Sequence, residues 1–157
     1  MSKTALHITT EGPINEVEID GLKDLQRLVG GYIEPFGIYE NRGWTIYLNE
    51  SGLYQCPPNR AIFVDDDLVE AGYLSQFSDS SRVVKKDELY YILFGDIVAI
   101  GFDPMTGEDK SLTDEQMDEI KAMFSSPAMG PNSGYFAATS VKMGVVPERA
   151  LLTKILS

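Results

Sequence analysis

Cysteine, histidine and tryptophan are scarce in this sequence, since each occurs once among 157 residues. The single Cys56 cannot form an internal disulfide, and an isolated thiol gives no support to a cysteine metal site. No apolar run reaches the length of a membrane span, and the first residues lack the apolar segment of a signal peptide. We therefore expect an intracellular protein with no membrane span, metal or cofactor.

Positive charge is also in short supply. The chain has 13 Lys and Arg against 24 Asp and Glu, which gives a net charge of −11. Binding to a phosphate backbone needs clustered Lys and Arg, so we expect no direct contact with nucleic acid. A solvated acidic surface is the plain interpretation. A weak DNA mimic that binds a basic partner is the alternative, and the sequence leaves it open.

Patterns of reactive residues are missing as well. His7, the only histidine, falls in a predicted strand, and no serine sits in a G-x-S-x-G elbow. No cation lies close to Cys56 in sequence to activate its thiol. The run Asp65–Asp67 lacks the alternating ligands and the glycine of a calcium loop. We predict that the protein is not an enzyme and has no catalytic residues.

The residues that are present predict one folded domain. Hydrophobic residues make up 43% of the chain, which is enough for a packed core. Short strand-like segments around a Gly-Pro turn predict a hairpin of Ala5–Thr9 and Val17–Asp20. Apolar residues at helical spacing predict a helix from Leu22 to Val29 that stops at Gly30-Gly31. The fold class is α+β: a mixed or mainly antiparallel sheet with two or three packed helices.

The second half of the chain carries its own local signals. Thr113 and Gln116 form a capping-box pattern at the start of an amphipathic helix. The apolar segment Tyr90–Phe102 is predicted to contain a buried strand, with Gly95-Asp96 at its start or at a bulge. The segment Tyr135–Val146 predicts a strand pair. A final helix is predicted to begin at Pro147, a favoured first position.

Several segments resemble a known family in order and spacing. They are LQRLVGGYIE (25–34), YLNESG (47–52), PPNRAI (57–62), FGDIVAIGFD (94–103) and SLTDEQ (111–116). The sequence resembles domain-of-unknown-function family 3846, small proteins of bacteriophages, plasmids and their hosts. The resemblance covers roughly residues 3–125. It implies a phage or mobile-element origin, an α+β fold and no established activity. We therefore divide the chain into a core domain, 1–126, and a C-terminal extension with a terminal helix, 127–157.

The most site-like segment follows two prolines that hold the backbone extended. A rigid loop there presents the Asn59 amide and the Arg60 guanidinium, which suits recognition of an anion or a nucleotide. The alternative is that Asn59 caps a short helix and Arg60 pairs with a surface carboxylate. Gly31 and Tyr32 are weaker ligand-binding candidates, because bare glycine amides are open to a phosphate. Here, however, they follow a helix, and a phosphate loop precedes one.

Two further groups of residues are candidates for a protein interface. Asp65, Asp66 and Asp67 form a negative patch, and Leu152 and Leu156 lie on one side of the terminal helix. The leucines suggest a homodimer contact, although a helix packed within the same chain explains them as well. The leading functional hypothesis is a phage accessory protein that binds a host protein in the host cytoplasm. A protein that binds or sequesters a nucleotide or other small molecule is the second hypothesis.

Overall fold

The computed structural model describes residues 2–157, apart from the side chain of Tyr54. The strands are β1 (Lys3–Ile8), β2 (Ile14–Ile19), β3 (Ile33–Phe36), β4 (Trp44–Asn49), β5 (Pro58–Phe63), β6 (Leu89–Phe94), β7 (Ile97–Asp103) and β8 (Glu108–Lys110). The helices are α1 (Leu22–Val29), α2 (Gly52–Gln55), α3 (Asp66–Ala71), α4 (Asp114–Met123), α5 (Ser133–Lys142) and α6 (Arg149–Leu156), with a 3-10 turn at Glu40–Arg42. The fold is α+β, as predicted.

The strands form two antiparallel sheets. The larger has six strands in the order β2-β1-β7-β4-β3, with β8 also paired to β7. Central β7 pairs with β1 over Ile97–Ile100 and with β4 over Val98–Gly101. Strand β8 pairs with Gly101–Asp103, beyond the end of β1. Strands β5 and β6 form a separate two-stranded ribbon.

The large sheet separates two apolar layers because side chains alternate along each strand. Ala5 belongs to a small layer that α1 covers with Leu25 and Val29. Leu6 and Ile8 belong to the main core on the opposite face. The main core also takes in the ribbon, α4 and the C-terminal helices. The ribbon therefore lies between the large sheet and the C-terminal helices.

Several local predictions are confirmed. Strands β1 and β2 form the predicted hairpin. Helix α1 ends at Gly30, which is left-handed with φ 80°. Helix α4 begins with a complete capping box, in which Thr113 and Gln116 bond each other's backbone amides. Each of these features depends on residues a few positions apart.

The buried strand predicted within Tyr90–Phe102 is confirmed as β7, which begins at Ile97, directly after Gly95-Asp96. The second strand in this segment, β6, was not predicted. The segment is β6 and β7, and the two strands belong to different sheets. The chain turns at Gly95, whose φ of 80° is in the left-handed region that favours glycine. A continuous apolar run does not distinguish one buried strand from two that meet at a turn.

The predicted strand pair over Tyr135–Val146 is wrong, because most of this segment is α5. The final helix is confirmed as α6. Residues beyond 126 are part of the main core, where Ala128, Met129 and Ala137 are buried. The division into 1–126 and 127–157 stays a prediction, since independent folding of either part is a separate property.

Candidate ligand-binding groove

A concave surface of about 520 Å³ lies beside the β5–β6 ribbon, and we call it the groove. Its lining is mainly apolar and aromatic: Leu53, Phe77, Tyr91, Ile92, Phe94 and Val141. Pro58 and Ala138 complete the apolar part, and Cys56, Gln76 and Lys142 are the polar members. A volume of this size with few polar groups is typical of small-molecule sites.

Two glycines let helices close on the ribbon and form the walls of the groove. A Cβ on Gly52 would lie 2.8 Å from the carbonyl oxygen of Phe94, so α2 lies directly against β6. A Cβ on Gly134 would lie 2.6 Å from the carbonyl carbon of Asn59, so α5 lies directly against β5. Larger side chains at either position would push a wall away from the ribbon.

Stacked aromatic rings support the floor of the groove. The Tyr91 ring stacks on Phe36 with ring centroids 5.2 Å apart and an interplanar angle of 25°. Tyr90, its neighbour in β6, makes an edge contact with Tyr73 at 5.8 Å. Burial raises the pKa of Tyr91, and the nearby carboxylate of Glu34 raises it further. The Tyr91 hydroxyl is therefore neutral at physiological pH and can donate a hydrogen bond.

Charge is unevenly placed around the groove. Lys142 is the one formally charged residue of its lining. A smaller cavity adjoins the groove, shares Leu53 and Tyr91 with it, and is bordered by Glu34 and Glu50. A cation therefore lines the groove itself, and two carboxylates border the adjoining cavity.

Asn59 and Arg60 do not line the groove, and the predicted loop is wrong. They lie in β5, and both are 0% exposed. Asn59 donates from Nδ2 to the carbonyl oxygens of Ile8 and Gly95, at 2.9 and 2.8 Å. The amide therefore fastens the ribbon to β1 and is not available to a ligand in this arrangement.

The Arg60 guanidinium is occupied by backbone carbonyls. Its Nε donates to Phe124 at 3.0 Å, and its terminal nitrogens donate to Thr9 at 3.0 Å and Gly12 at 2.8 Å. The pairing with a surface carboxylate, which the sequence left open, does not occur in the described residues. Burial without a counter-charge lowers the pKa of Arg60 to about 10, so the group is still charged at neutral pH.

Gly31 and Tyr32 lie at the turn between α1 and β3. A Cβ on Gly31 would lie 2.8 Å from Asn49 Nδ2, and that amide donates to the carbonyl oxygen of Val29. Asn49 therefore supplies a hydrogen-bond donor to a backbone carbonyl at the end of α1. The Tyr32 side chain is 70% exposed and does not line the groove. These residues do not join Asn59 and Arg60 in one site.

The acidic run is partly neutralised within the chain. Asp65 caps α3 by accepting from the Leu68 amide. Arg42 donates to Asp65 at 2.5 Å and to Asp67 at 2.9 Å, and the more exposed Asp66 lies 3.6 Å from Lys86. A cation sits close to each of the three carboxylates, and this lowers the local negative field that a basic partner would meet.

The two leucines of α6 face inward. Leu152 is 2% exposed and belongs to the main core, and Leu156 packs against that core. The alternative left open by the sequence, a helix packed within its own chain, is confirmed, and the interface predicted at Leu152 and Leu156 is not exposed. Leu151 and Ile155 are the exposed apolar residues of α6, at 45% and 54%.

His7 lies beside one carboxylate. His7 Nε2 lies 3.0 Å from Asp96 Oδ2, and Asp96 also accepts from the Thr10 amide.

Over residues 2–157, no cluster of three His, Cys, Asp or Glu side chains is arranged to hold a metal ion. No helix in the same range is long and apolar enough to cross a membrane.

The family model for a domain of unknown function (DUF3846) matches residues 2–125. The chain belongs to this family. No curated protein and no solved structure gives a match. Residues of the DUF3846 region form most of the groove, whereas Ala138, Val141 and Lys142 come from α5, outside the matched range. The groove is therefore completed by the part of this chain that lies beyond the family domain.

Sequence reasoning did not find the groove. Its residues come from α2, the loop before residue 81, β6 and α5, which are far apart in the chain. The signals in hindsight were Gly52 and Gly134, because a glycine in a helix often allows a close approach of another backbone.

Proposed function

We propose that this protein binds a small, largely apolar ligand in the groove. The observation that carries the proposal is a concave surface of about 520 Å³ with aromatic and aliphatic walls, in which Cys56, Gln76, Lys142 and the Tyr91 hydroxyl are the polar groups among the described side chains. Sites for small molecules have volumes of roughly 300–1,000 Å³ and this kind of lining. Burial of an apolar ligand would gain roughly 25 cal/mol for each Å² of apolar surface removed from water.

A nucleotide is a less suitable ligand for the same surface. A nucleotide carries several negative charges, and the groove contributes one cation, Lys142. The nucleotide hypothesis depended on Arg60, whose guanidinium is buried and bonded to carbonyl oxygens. The chemistry of the lining therefore favours an apolar body with at most one charge.

The other functional hypotheses from the sequence stay predictions. They are the phage origin, the host cytoplasm, the host-protein partner, the weak DNA mimicry, the homodimer and the absence of enzymatic activity. Binding of a small molecule is compatible with these hypotheses. A bound ligand is a common way to control an interaction between proteins.

The test uses N-phenylnaphthylamine, a neutral aromatic probe that fluoresces in apolar surroundings. We expect saturable binding by the purified chain at a one-to-one ratio. Ala138→Phe adds a ring to the α5 wall and should abolish the signal. Thr139→Phe adds the same ring at the next, exposed position of α5 and should leave binding unchanged.

Both variants are first compared with the parent chain by thermal unfolding, so that a loss of signal is interpreted only for folded protein. The ligand should also raise the melting temperature of the parent chain, because it binds the folded state alone. The proposal fails if the parent chain gives no saturable signal, or if folded Ala138→Phe binds as well as the parent.

A further inference from the structure

We infer that the ligand of the groove carries a negatively charged group that pairs with Lys142. The inference rests on the proposed function and names the chemical class of the ligand: an amphipathic anion with an apolar chain or ring. In this assignment Lys142 is a specificity-determining residue. Its side chain sets which apolar molecules are retained, while the aromatic walls supply most of the affinity.

The position of Lys142 suits this role. It is the last residue of α5, so its stem of four methylenes continues the wall formed by Ala138 and Val141. Lysine side chains commonly lay such a stem along an apolar surface and keep the ammonium in water. Lys142 is exposed, so its ammonium stays in contact with water beside the apolar lining and can meet the charged head of an amphipathic ligand.

The charge of Lys142 is available for a ligand. Among the ion pairs within residues 2–157, none includes Lys142. Lys86 is the one lysine of the described residues with a carboxylate within 4 Å, so the free ammonium is common to the lysines and the place in the groove lining is what distinguishes Lys142. The chain has a net charge of −11 and as a whole repels anions. An unpaired cation beside an apolar surface is a place where an anion is attracted instead.

The carboxylates of the adjoining cavity favour one orientation of the ligand. Glu34 and Glu50 border the adjoining cavity, which begins where Tyr91 and Phe94 line both spaces. An anionic head there would meet two like charges, and repulsion would disfavour it. The charged head should therefore be held at Lys142, and the apolar part should lie against the aromatic lining that includes Tyr91.

The decisive experiment compares two probes of similar ring structure. Anilinonaphthalene sulfonate carries a negative charge, and N-phenylnaphthylamine is neutral. We expect Lys142→Gln to weaken binding of the anionic probe by about threefold to tenfold, as for a partly exposed charge pair. The neutral probe should lose much less affinity than the anionic probe, because it loses only contact with the shortened stem, and Lys142→Arg should restore the affinity for the anion.

Lys121→Gln is the matched control, because it removes the same charge from an exposed position on α4, outside the groove. An equal loss for Lys121→Gln and Lys142→Gln would indicate a general field effect and overturn the inference. Equal affinity of the parent chain and Lys142→Gln for the anionic probe would overturn it as well. Failure of both probes to bind the parent chain would instead refute the proposed function.

Competition extends the test to aliphatic ligands. Decanoate and decanol have the same chain length and differ in the charge of the head. Decanoate should displace N-phenylnaphthylamine from the parent chain at a lower concentration than decanol, and Lys142→Gln should remove the difference. A difference that persists in Lys142→Gln contradicts the assignment of the head group to this residue.

Discussion

The Nε of Arg60 donates a 3.0 Å hydrogen bond to the carbonyl oxygen of Phe124, the C-cap residue of α4. The same guanidinium holds the carbonyls of Thr9 and Gly12 in the turn between β1 and β2. One buried side chain therefore joins the ribbon, the hairpin turn and the end of a helix. Its donors satisfy backbone groups that would otherwise be left without partners in the interior.

Arg60→Met should destabilise the protein by about 2–4 kcal/mol, because it keeps the apolar stem and removes every donor. Three backbone carbonyls and the Asn59 side-chain oxygen lose their partner in this variant. Urea unfolding of parent and variant gives the difference. Arg27→Met is the control, since Arg27 is exposed on α1, and it should leave the urea midpoint unchanged. A midpoint for Arg60→Met equal to that of the parent would contradict a structural role for the guanidinium.

Gly134→Ala should weaken the packing of α5 on the ribbon. The added Cβ would lie 2.6 and 2.7 Å from backbone atoms of Asn59 and Arg60, which cannot rotate away. Overpacking of this kind costs about 1–3 kcal/mol, and the displaced α5 should also lower the affinity of the groove for N-phenylnaphthylamine. Gly21→Ala is the comparison, because its Cβ would have no neighbour within 4 Å. Equal stability of the two variants would show that α5 adjusts without strain.

Thr45→Val should stabilise the fold by about 1 kcal/mol. The Thr45 hydroxyl is buried in β4 and has no hydrogen-bond partner among the described residues. Valine has nearly the same shape and removes the desolvated oxygen. Thr45→Ser keeps the hydroxyl and loses a methyl group, so it should be less stable than the parent. Thermal unfolding of the three proteins checks the order, and a less stable Thr45→Val would indicate that the hydroxyl is bonded after all.

Stability should fall above pH about 10, the ordinary pKa of tyrosine. Burial raises the pKa of Tyr39 and Tyr47 in the folded state, and it raises those of Tyr90 and Tyr91 in the same direction. Above pH 10 the unfolded chain therefore releases protons that the folded chain retains, and unfolding becomes more favourable. Arg60 acts in the opposite direction, because its folded pKa of about 10 is below the unfolded value of 12.5.

The four tyrosines outnumber this one arginine, so the net change is a loss of stability. Tyr39→Phe should move the midpoint of alkaline unfolding to a higher pH, as followed by circular dichroism. The exposed Tyr32→Phe serves as the control and should leave the midpoint where it is. Identical curves for parent and Tyr39→Phe would rule out a contribution from the buried phenol.

Occupation of the groove should protect Cys56 from thiol reagents. Cys56 lines the groove, is half-buried and is the only cysteine, so all the signal from Ellman's reagent comes from this site. Saturating N-phenylnaphthylamine should slow the reaction severalfold, because the bound ring covers the sulfur. Cys56→Ser gives the background rate. An unchanged rate with bound probe would place the probe elsewhere on the protein.

Elements whose signals lie within a few residues were predictable from the sequence. The capping box at Thr113 and Gln116 and the glycine stop at Gly30 are examples, since each depends on bonds inside one helix. The resemblance to DUF3846 was likewise available from local segments and their order. The position of a residue in the fold could not be predicted from such local signals. The polar pair Asn59 and Arg60 follows two prolines and has the composition of a loop, yet it lies in a buried strand.

The sequence by itself determined the α+β class, the first hairpin, the helices with clear caps and the family. Only the tertiary structure decided that Arg60 is interior, that Gly95 separates strands of two sheets, and that Lys142 reaches a groove lined by Leu53 and Tyr91. The physical reason is the distance along the chain over which each kind of interaction acts. Caps, turns and apolar stripes are fixed by neighbours within about one helical turn. Burial of a charge and the shape of a cavity depend on elements that meet only when the whole chain packs.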